Sequence, residues 1–257
     1  MVQLPEAPAS DRLALVTGTS TGIGAAVAKQ LLARGWEVAG VARRNPGIED
    51  ARYRHLAADL QDAPAAAASI ERAFGALLGE RRWRRIGLVN NAASAAATGP
   101  VQRLDAAELV RVYSVNVAIP LWLMGFVARN SPREAAIRIV NLSSGAAVRA
   151  APGLAAYCSS KAALRMAGMV FGAELDSPLR PADTPADLSI LSYSPGVVDT
   201  EMQVASRSMS AEEFPWGRMF KDFAALGLLA APDLPAAEVV EFLELEASAR
   251  FVERKRG

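Results

Sequence analysis

The chain has 257 residues, a formal net charge of +1 and 51% apolar residues. That length is enough for one large α/β domain, and since no composition shift marks a boundary, we predict a single domain over residues 1–257. The balanced charge argues against a nucleic-acid partner, while one cysteine, Cys158, and one histidine, His55, exclude a disulfide framework and a cysteine-rich or multi-histidine metal site.

Targeting and membrane signals are not evident in the sequence. The first 12 residues, MVQLPEAPASDR, lack the apolar core of a signal peptide, and no segment approaches the uninterrupted apolar length that crosses a bilayer. We therefore expect a cytoplasmic protein that contacts no membrane. The basic cluster RRWRR at 81–85 is interpreted as a solvated helix end, because no second basic stripe accompanies it.

Apolar runs alternate with helical periodicity along most of the chain. The continuous apolar character of the runs is typical of parallel strands that are covered on both faces. We therefore predict an α/β fold, a doubly wound parallel sheet with helices on both faces. The predicted strands are 12–18, 36–43, 52–58, 85–92, 135–144 and 187–196, and the predicted helices are 22–35, 63–80, 105–130 (as one helix or two), 153–175 and 236–247.

The pattern loosens between about 198 and 232, where polar, aromatic and proline residues mix. A segment of this length is often a lid or binding loop, so we predict an irregular helical excursion over the substrate site. Its large apolar side chains either form a wall for a flat or aromatic molecule or only pack the excursion onto the domain. They are Met202, Met209, Phe214, Trp216, Met219 and Phe223.

A glycine-rich turn, TGTSTGIG at 17–24, follows the first predicted strand and opens the first predicted helix. Glycines in this position allow a tight turn and a close approach of backbone to phosphate, and the helix N-terminus offers free N–H groups to a pyrophosphate. The alternative is a simple strand-to-helix connection. The placement favours a dinucleotide site formed by Gly18, Ser20, Thr21, Gly22, Ile23 and Gly24.

The end of the second predicted strand indicates which dinucleotide is used. A protein that selects the unphosphorylated cofactor usually has a carboxylate there for the ribose 2′-hydroxyl, but this strand ends in Ala42, followed by Arg43 and Arg44. Guanidinium groups favour a 2′-phosphate, so we predict NADP as the cofactor. The alternative is a pair of exposed loop arginines.

Tyr157 and Lys161 are separated by one helical turn in the segment AAYCSSKAAL. Residues at this spacing lie on the same face of a helix, so the phenol and the ammonium can share one site. A tyrosine and a lysine also occur at this spacing by chance, and the pair gains weight only from partners elsewhere in the chain.

Seven short motifs supply these partners in one order along the chain. They are TGTSTGIG (17–24), DL (59–60), NNAA (90–93), YSVN (113–116), NLSS (141–144), YCSSK (157–161) and PGVVDT (195–200). With these motifs the chain resembles the short-chain dehydrogenase/reductase family over nearly its whole length. Ala93 departs from the family's NNAG pattern, which ends in glycine.

The resemblance implies a set of four catalytic residues. Ser144 precedes Tyr157 by the 13 residues that the family uses and is expected to bind the substrate oxygen, whereas Ser143 lies one residue too far. Asn116 is expected to hold a water molecule that links Lys161 to solvent, or else to be a satisfied mid-helix amide. The set is Asn116, Ser144, Tyr157 and Lys161.

The resemblance also extends the cofactor site beyond the glycine turn and the two arginines. Asp59 and Leu60 are expected at the adenine, Lys161 at the nicotinamide ribose, and Thr200 with the backbone of Val198 at the carboxamide. The implied contacts are Asp59, Leu60, Asn90, Ala92, Tyr157, Lys161, Pro195, Gly196, Val198 and Thr200.

Carbonyl reduction explains why a phenol and an ammonium should be neighbours. The reaction needs an acid close to the carbonyl oxygen, and a phenol with a pKa of about 10 exchanges its proton reluctantly at neutral pH. A nearby cation favours the phenolate, so Lys161 is expected to lower the pKa of Tyr157.

Within the family, the segments SYSPGVVDTEMQ (192–203) and LEASARFVE (245–253) resemble the sepiapterin reductase group, which includes bacterial reductases of benzil-type diketones. Two features depart from that group. Thr21 stands where an arginine often contacts the 2′-phosphate, and the acidic pterin anchor near the C-terminus has one candidate, Glu253.

We therefore predict an NADPH-dependent carbonyl reductase that acts on a ketone or vicinal diketone, assembled as a homodimer or homotetramer through two long helices around 105–130 and 155–175. One alternative is a 3-oxoacyl or secondary-alcohol dehydrogenase of the same family. Another is a non-catalytic dinucleotide sensor, which would keep the glycine turn and lose the catalytic residues. The expected partner is a small carbonyl substrate.

Overall fold

The described residues form a seven-stranded parallel sheet, most of whose strands are short apolar runs. The computed structural model describes residues 10–256 apart from 211, 213 and 248. The strands are ordered β3-β2-β1-β4-β5-β6-β7, and each pairs in parallel with its neighbours. They are β1 (Arg12–Thr17), β2 (Glu37–Ala42), β3 (Tyr53–Ala57), β4 (Arg85–Asn90), β5 (Ala136–Leu142), β6 (Leu188–Ser194) and β7 (Phe251–Lys255).

Helices cover both faces of this sheet, as predicted. One core cluster includes Ile70, Leu123 and Phe126 on one face, and a second includes Val27 and Val240 on the other. The doubly wound prediction is therefore confirmed. The helices are α1 (Gly22–Ala33), α2 (Ala63–Leu78), α3 (Ala106–Tyr113), α4 (Ile119–Asn130), α5 (Ala155–Glu174), α6 (Glu201–Ser208), α7 (Gly217–Ala225) and α8 (Asp233–Glu244).

The excursion at about 198–232 contains α6 and α7, although 211 and 213 lie outside the described residues. Residues 1–9, which make up most of the N-terminal segment 1–12, also lie outside the described residues, as does Ser248 within the segment 245–253.

Strand β7 was absent from the sequence prediction. It forms the edge of the sheet and pairs with β6 from Ile190–Phe251 to Ser194–Lys255. Its two apolar residues, Phe251 and Val252, are too few to give a strand signal, and the last three residues are exposed. The strand forms because its backbone hydrogen-bonds to the edge of β6. This cause is a tertiary contact and not a local sequence preference.

One helical segment, Ala106–Asn130, is long and apolar enough to cross a membrane by length and composition alone, although Glu108, Arg111 and Asn116 interrupt its apolar run. Half of its most apolar window is buried inside the fold (50%). Leu123, Met124 and Val127 lie fully within the core. Packing against the sheet accounts for this apolar composition.

Sheet topology fixes where a ligand can bind. From β1 the chain adds β2 and β3 on one side, and β4 to β7 on the other. Ligands of doubly wound sheets bind where this direction reverses, beyond the carboxyl ends of the strands. The turn after β1, the loop after β4 and the loop after β5 all reach that edge.

Candidate active site

A cleft of about 660 Å³ lies at this carboxyl edge, within the range of typical ligand sites. It is lined by all but three of the residues that the sequence assigned to cofactor binding or catalysis. Those in its wall are Gly18, Ser20, Thr21, Gly22, Ile23, Arg43, Arg44, Asp59, Leu60, Ala92, Ser144, Tyr157, Lys161, Pro195, Gly196, Val198 and Thr200, and those outside it are Gly24, Asn90 and Asn116.

Two positions of the glycine turn, Gly18 and Gly24, leave no room for a Cβ atom. Gly18 has a φ of +73°, and a Cβ there would lie 2.7 Å from Nδ2 of Asn91. A Cβ on Gly24 would lie 2.3 Å from the carbonyl oxygen of Gly18. Gly24 therefore allows α1 to pack against the turn without itself lining the cleft, which is the packing role of the third glycine in such turns.

The N-terminus of α1 opens into the cleft with unsatisfied donors. Thr21 is the N-cap residue, and its side chain makes no capping hydrogen bond. Gly22 follows with a φ of +60°, and a Cβ on it would lie 3.2 Å from the methyl carbon of Thr200 across the cleft. Backbone N–H groups and the helix dipole are thus available to an anion, so these residues fit a dinucleotide pyrophosphate.

Arg43 and Arg44 lie beyond the last residue of β2, Ala42, and both are exposed in the cleft wall. Within the described chain no carboxylate pairs with Arg43. Nη2 of Arg44 donates to both carboxylate oxygens of Glu201, at 3.0 and 2.8 Å. An arginine pair without a strand-end carboxylate fits a 2′-phosphate.

Asn90, which was predicted to contact the cofactor, lies outside the cleft wall. It is buried between β4 and β5, where its Nδ2 donates to Oδ1 of Asn141 at 2.8 Å, and it does not line the cleft. Since side chains alternate along a strand, the next residue, Asn91, lies in the cleft and donates to the carbonyl oxygens of Thr17 and Gly18. Asn91 thus occupies the cleft position of this motif, and the cofactor contact of Asn90 stays a prediction.

Tyr157 and Lys161 lie together in the first turns of α5, as the helical spacing predicts. Nζ of Lys161 is 5.7 Å from the centre of the Tyr157 ring and donates to the carbonyl oxygen of Leu142 at 2.7 Å. Lys161 is 2% exposed. The ammonium is thus fixed by the end of β5 beneath the phenol.

Burial dominates the proton affinities of this pair. Desolvation raises the pKa of Tyr157 to about 12, although a hydrogen bond with Ser144 opposes it. Desolvation also lowers the pKa of Lys161 to about 8. Burial thus raises the pKa of Tyr157 overall, so the net shift is opposite to the expected lowering, and the contribution of Lys161 stays a prediction.

Two serines follow β5, and the structure distinguishes them. Ser144 lies close enough to the phenol of Tyr157 to lower its pKa, and its hydroxyl accepts from the backbone N–H of Ala146 at 3.2 Å. Ser143 is nearly buried, and its backbone N–H donates to Tyr193. Both line the cleft, but Ser144 is the serine that contacts the tyrosine.

Asn116 lies in a π-helical turn, Ser114–Ala118, between α3 and α4. Its Nδ2 donates to Ser94 at 2.8 Å and to Ser160 at 2.9 Å, while its Oδ1 accepts from the N–H of Ser94. Single π turns inside α-helices frequently occur at functional sites. The side chain holds the loop after β4 against α5, outside the cleft wall, and its role in proton supply stays a prediction.

The excursion supplies the other end of the cleft. Of the predicted apolar residues, Met202, Trp216 and Met219 line it, as does Phe220, which was not predicted. Phe214 is 1% exposed and stacks on Phe220, so it packs the excursion, as the alternative interpretation held. Met209 and Phe223 also lie outside the wall.

Glu253 is paired elsewhere. Its carboxylate accepts from Nε and Nη2 of Arg165 on α5 at 2.5 and 2.8 Å, which lowers the pKa of Glu253, and it does not line the cleft. Lys255, two residues further along β7, lines the cleft instead. The pairing of β7 with β6 fixes the placement of Glu253 and Lys255, which the sequence alone left open.

Comparison with known proteins agrees with this geometry. A family model described as short chain dehydrogenase matches residues 12–211. The chain is 33% identical over 236 residues to a benzil reductase ((S)-benzoin forming) of Bacillus subtilis, covering 90% of this chain and 93% of the relative. It is 28% identical to a sepiapterin reductase of Xenopus tropicalis, covering 80% and 75% of the two chains.

Among solved structures, the KRED1-Pglu enzyme superposes with a TM-score of 0.76 at 26% identity, covering 94% of this chain and 100% of that one. The family model spans well over half of the chain and includes the glycine turn, the Tyr157–Lys161 pair and Thr200. The chain therefore belongs to the short-chain dehydrogenase family, as an oxidoreductase that acts on CH–OH or C=O groups with a nicotinamide dinucleotide cofactor.

Proposed function

We propose that this protein is an NADPH-dependent carbonyl reductase that reduces a ketone or one carbonyl of a vicinal diketone. The observation that carries the proposal is the position of Tyr157, close to Ser144 and above Lys161, in the same cleft as the glycine turn. A proton donor and a dinucleotide cradle in one cleft are the two requirements of carbonyl reduction.

Each residue has a distinct task in this proposal. When bound, the nicotinamide cofactor supplies the hydride. Ser144 and Tyr157 bind the carbonyl oxygen, and Tyr157 donates the proton, which its high pKa retains until charge develops on that oxygen. Lys161 places a positive charge beneath the phenol and stabilises the phenolate left after proton transfer. Asn116 holds the Ser94 loop and α5 in register.

The cofactor would be held by the turn residues at its phosphates and by Asp59 and Leu60 at its adenine, with Thr200 at the nicotinamide end. Arg43 and Arg44 support a preference for the 2′-phosphate. Thr21 offers no charge, so we expect the preference to be moderate.

We expect Arg43→Ala to remove much of the preference for NADPH over NADH, because a charge-assisted hydrogen bond to the 2′-phosphate is lost. The kcat/KM with NADPH should fall about tenfold, and that with NADH should stay within about twofold. Arg103→Ala is the matched control, since Arg103 is exposed outside the cleft wall. Equal kcat/KM values for the two cofactors in the unmutated protein would refute NADPH selectivity.

The substrate end supports a flat or aromatic carbonyl compound. Met202, Trp216, Met219 and Phe220 give it an apolar wall, and the second carbonyl of a vicinal diketone makes the first more electrophilic. The benzil reductase relative acts on such a diketone by its name. A pterin amino group would have no carboxylate from Glu253, and leaving it unpaired would cost about 1–3 kcal/mol.

A substrate panel tests this proposal. With NADPH we expect turnover of benzil-like diketones, weak turnover of sepiapterin, and intermediate rates with simple ketones. Strong activity confined to 3-oxoacyl thioesters would favour the alternative dehydrogenase of the same family. Cofactor binding without any turnover would favour a dinucleotide sensor. Efficient sepiapterin turnover that is lost in Glu253→Gln would show that the carboxylate leaves Arg165 to reach substrate.

Assembly as a homodimer or homotetramer is supported by an apolar stripe on the two long helices. Met166, Met169 and Val170 on α5 are exposed, as are Val110 on α3 and Leu121 on α4. Side chains of this kind on adjacent helices favour burial against a second copy.

A cytoplasmic location is consistent with one unpaired cysteine, Cys158.

A further inference from the structure

The ion pair between Arg44 and Glu201 connects the two ends of the cleft. Arg44 follows β2 at the end predicted for the 2′-phosphate, and Glu201 is the first residue of α6 in the excursion. One nitrogen of Arg44 contacts both oxygens of Glu201, and both residues line the cleft. The pair is 157 residues apart in the chain, so it is a tertiary contact across the opening.

Glu201 lies at the start of α6, where the helix approaches the glycine turn. As the first residue of α6 it follows the N-cap, Thr200, whose hydroxyl accepts from the N–H of Gln203. This helix start approaches the glycine turn closely, since a Cβ atom on Gly22 would lie 3.2 Å from the methyl carbon of Thr200. The carboxylate therefore lies beside the cofactor cleft, next to the cation proposed to bind the 2′-phosphate.

A 2′-phosphate bound by Arg44 would have to share that guanidinium with Glu201. The two anions would repel one another, or the ion pair would have to open first, and either event weakens phosphate binding. With Thr21 uncharged, Arg43 is the other cation at this end of the described cleft, so the loss is not compensated by a third group.

We propose that Glu201 is a specificity-determining residue that restrains Arg44 and so limits the preference for a 2′-phosphorylated dinucleotide. Glu201 acts through Arg44 and is a positioning residue. The inference rests on the proposed use of NADPH. The ion pair is exposed, at 65% for Arg44 and 64% for Glu201, so its effect should be modest and sensitive to salt.

Binding of two adenosine fragments tests this without turnover. Adenosine 2′,5′-bisphosphate carries the 2′-phosphate and 5′-AMP lacks it. By calorimetry at low ionic strength, Glu201→Gln should tighten the bisphosphate about three- to tenfold and change 5′-AMP by less than about twofold. In a protein that already carries Arg44→Ala, the partner of Glu201 is gone. Adding Glu201→Gln should then change the logarithm of the bisphosphate affinity by less than half as much as it does in the unmutated protein.

Asp222→Asn is the matched control, because it removes the same charge from exposed α7 of the same excursion outside the cleft wall. It should leave both affinities unchanged. Glu201→Asp keeps the charge and should tighten the bisphosphate less than Glu201→Gln does. Thermal melting of each variant separates a binding effect from a loss of the α6 start, where an acidic residue favours the helix.

Three results would overturn the inference. One is an unchanged or weaker affinity for the bisphosphate in Glu201→Gln, and another is equal tightening of both fragments. In those cases, if Arg43→Ala still weakens the bisphosphate selectively, the proposed NADPH preference survives. The third is equal affinity of the unmutated protein for the two fragments with no effect of Arg43→Ala, which would reject the cofactor proposal and this inference together.

Discussion

Replacing Tyr157 by phenylalanine should reduce the turnover of a diketone by at least about 100-fold while the affinity for NADPH stays within about twofold. The phenol hydroxyl lies beside Ser144, where it can donate a proton to a bound carbonyl oxygen, and a lost general acid typically costs two to four orders of magnitude. The ring remains, so the wall of the cleft and the charge of Lys161 are kept. Single-turnover kinetics and cofactor titration measure the two effects separately.

Tyr113→Phe is the control for this change. Tyr113 also carries its hydroxyl in a hydrogen bond, to Ser159 at 2.7 Å, but it lies outside the cleft wall. The Tyr113→Phe variant should therefore turn over the diketone at the rate of the unmutated protein. Activity retained by Tyr157→Phe would reject the tyrosine as proton donor, and an equal loss in Tyr113→Phe would point to damage to the helix pair instead.

Much of the fold was predictable because the strong signals are local. Fully buried parallel strands such as β1 and β4 read as continuous apolar runs, and the glycine turn has a fixed spacing relative to β1. The Tyr157–Lys161 pair follows from helical geometry alone. These elements needed no knowledge of their neighbours.

The misplaced features depend on tertiary contacts. Strand β7 forms because it can pair with the edge of β6. The register of this pairing places Glu253 against Arg165 and Lys255 in the cleft wall. Asn90 and Asn91 are adjacent in the chain, but their side chains lie in different places. The side chain of Asn90 is buried in the sheet, and that of Asn91 lies in the cleft. The direction of the Tyr157 pKa shift depends on burial, which a sequence does not state.

Lys161→Ala should weaken both cofactor binding and turnover, because one ammonium is expected to perform two tasks. Losing a charge-assisted hydrogen bond to the cofactor ribose should raise the Kd for NADPH by roughly 10- to 100-fold, and losing the charge beneath the phenol should lower kcat by a further factor of about 10 or more. Lys161→Met retains the volume of the stem and serves as the control for the cavity that alanine leaves. A fall in kcat with an unchanged Kd would reject the ribose contact.

The pH dependence of the unmutated protein gives the same residue a second test. Burial lowers the pKa of Lys161 to about 8, so the ammonium is present below that pH and is lost above it. Burial raises the pKa of Tyr157 to about 12, so the phenol stays protonated throughout the accessible range. We therefore expect kcat/KM for reduction to be constant below about pH 8 and to decline above it, because the lysine charge disappears while the proton donor remains. In Lys161→Met the decline near pH 8 should vanish and leave a low, flat profile; persistence of the same inflection in that variant would assign the titration to another group.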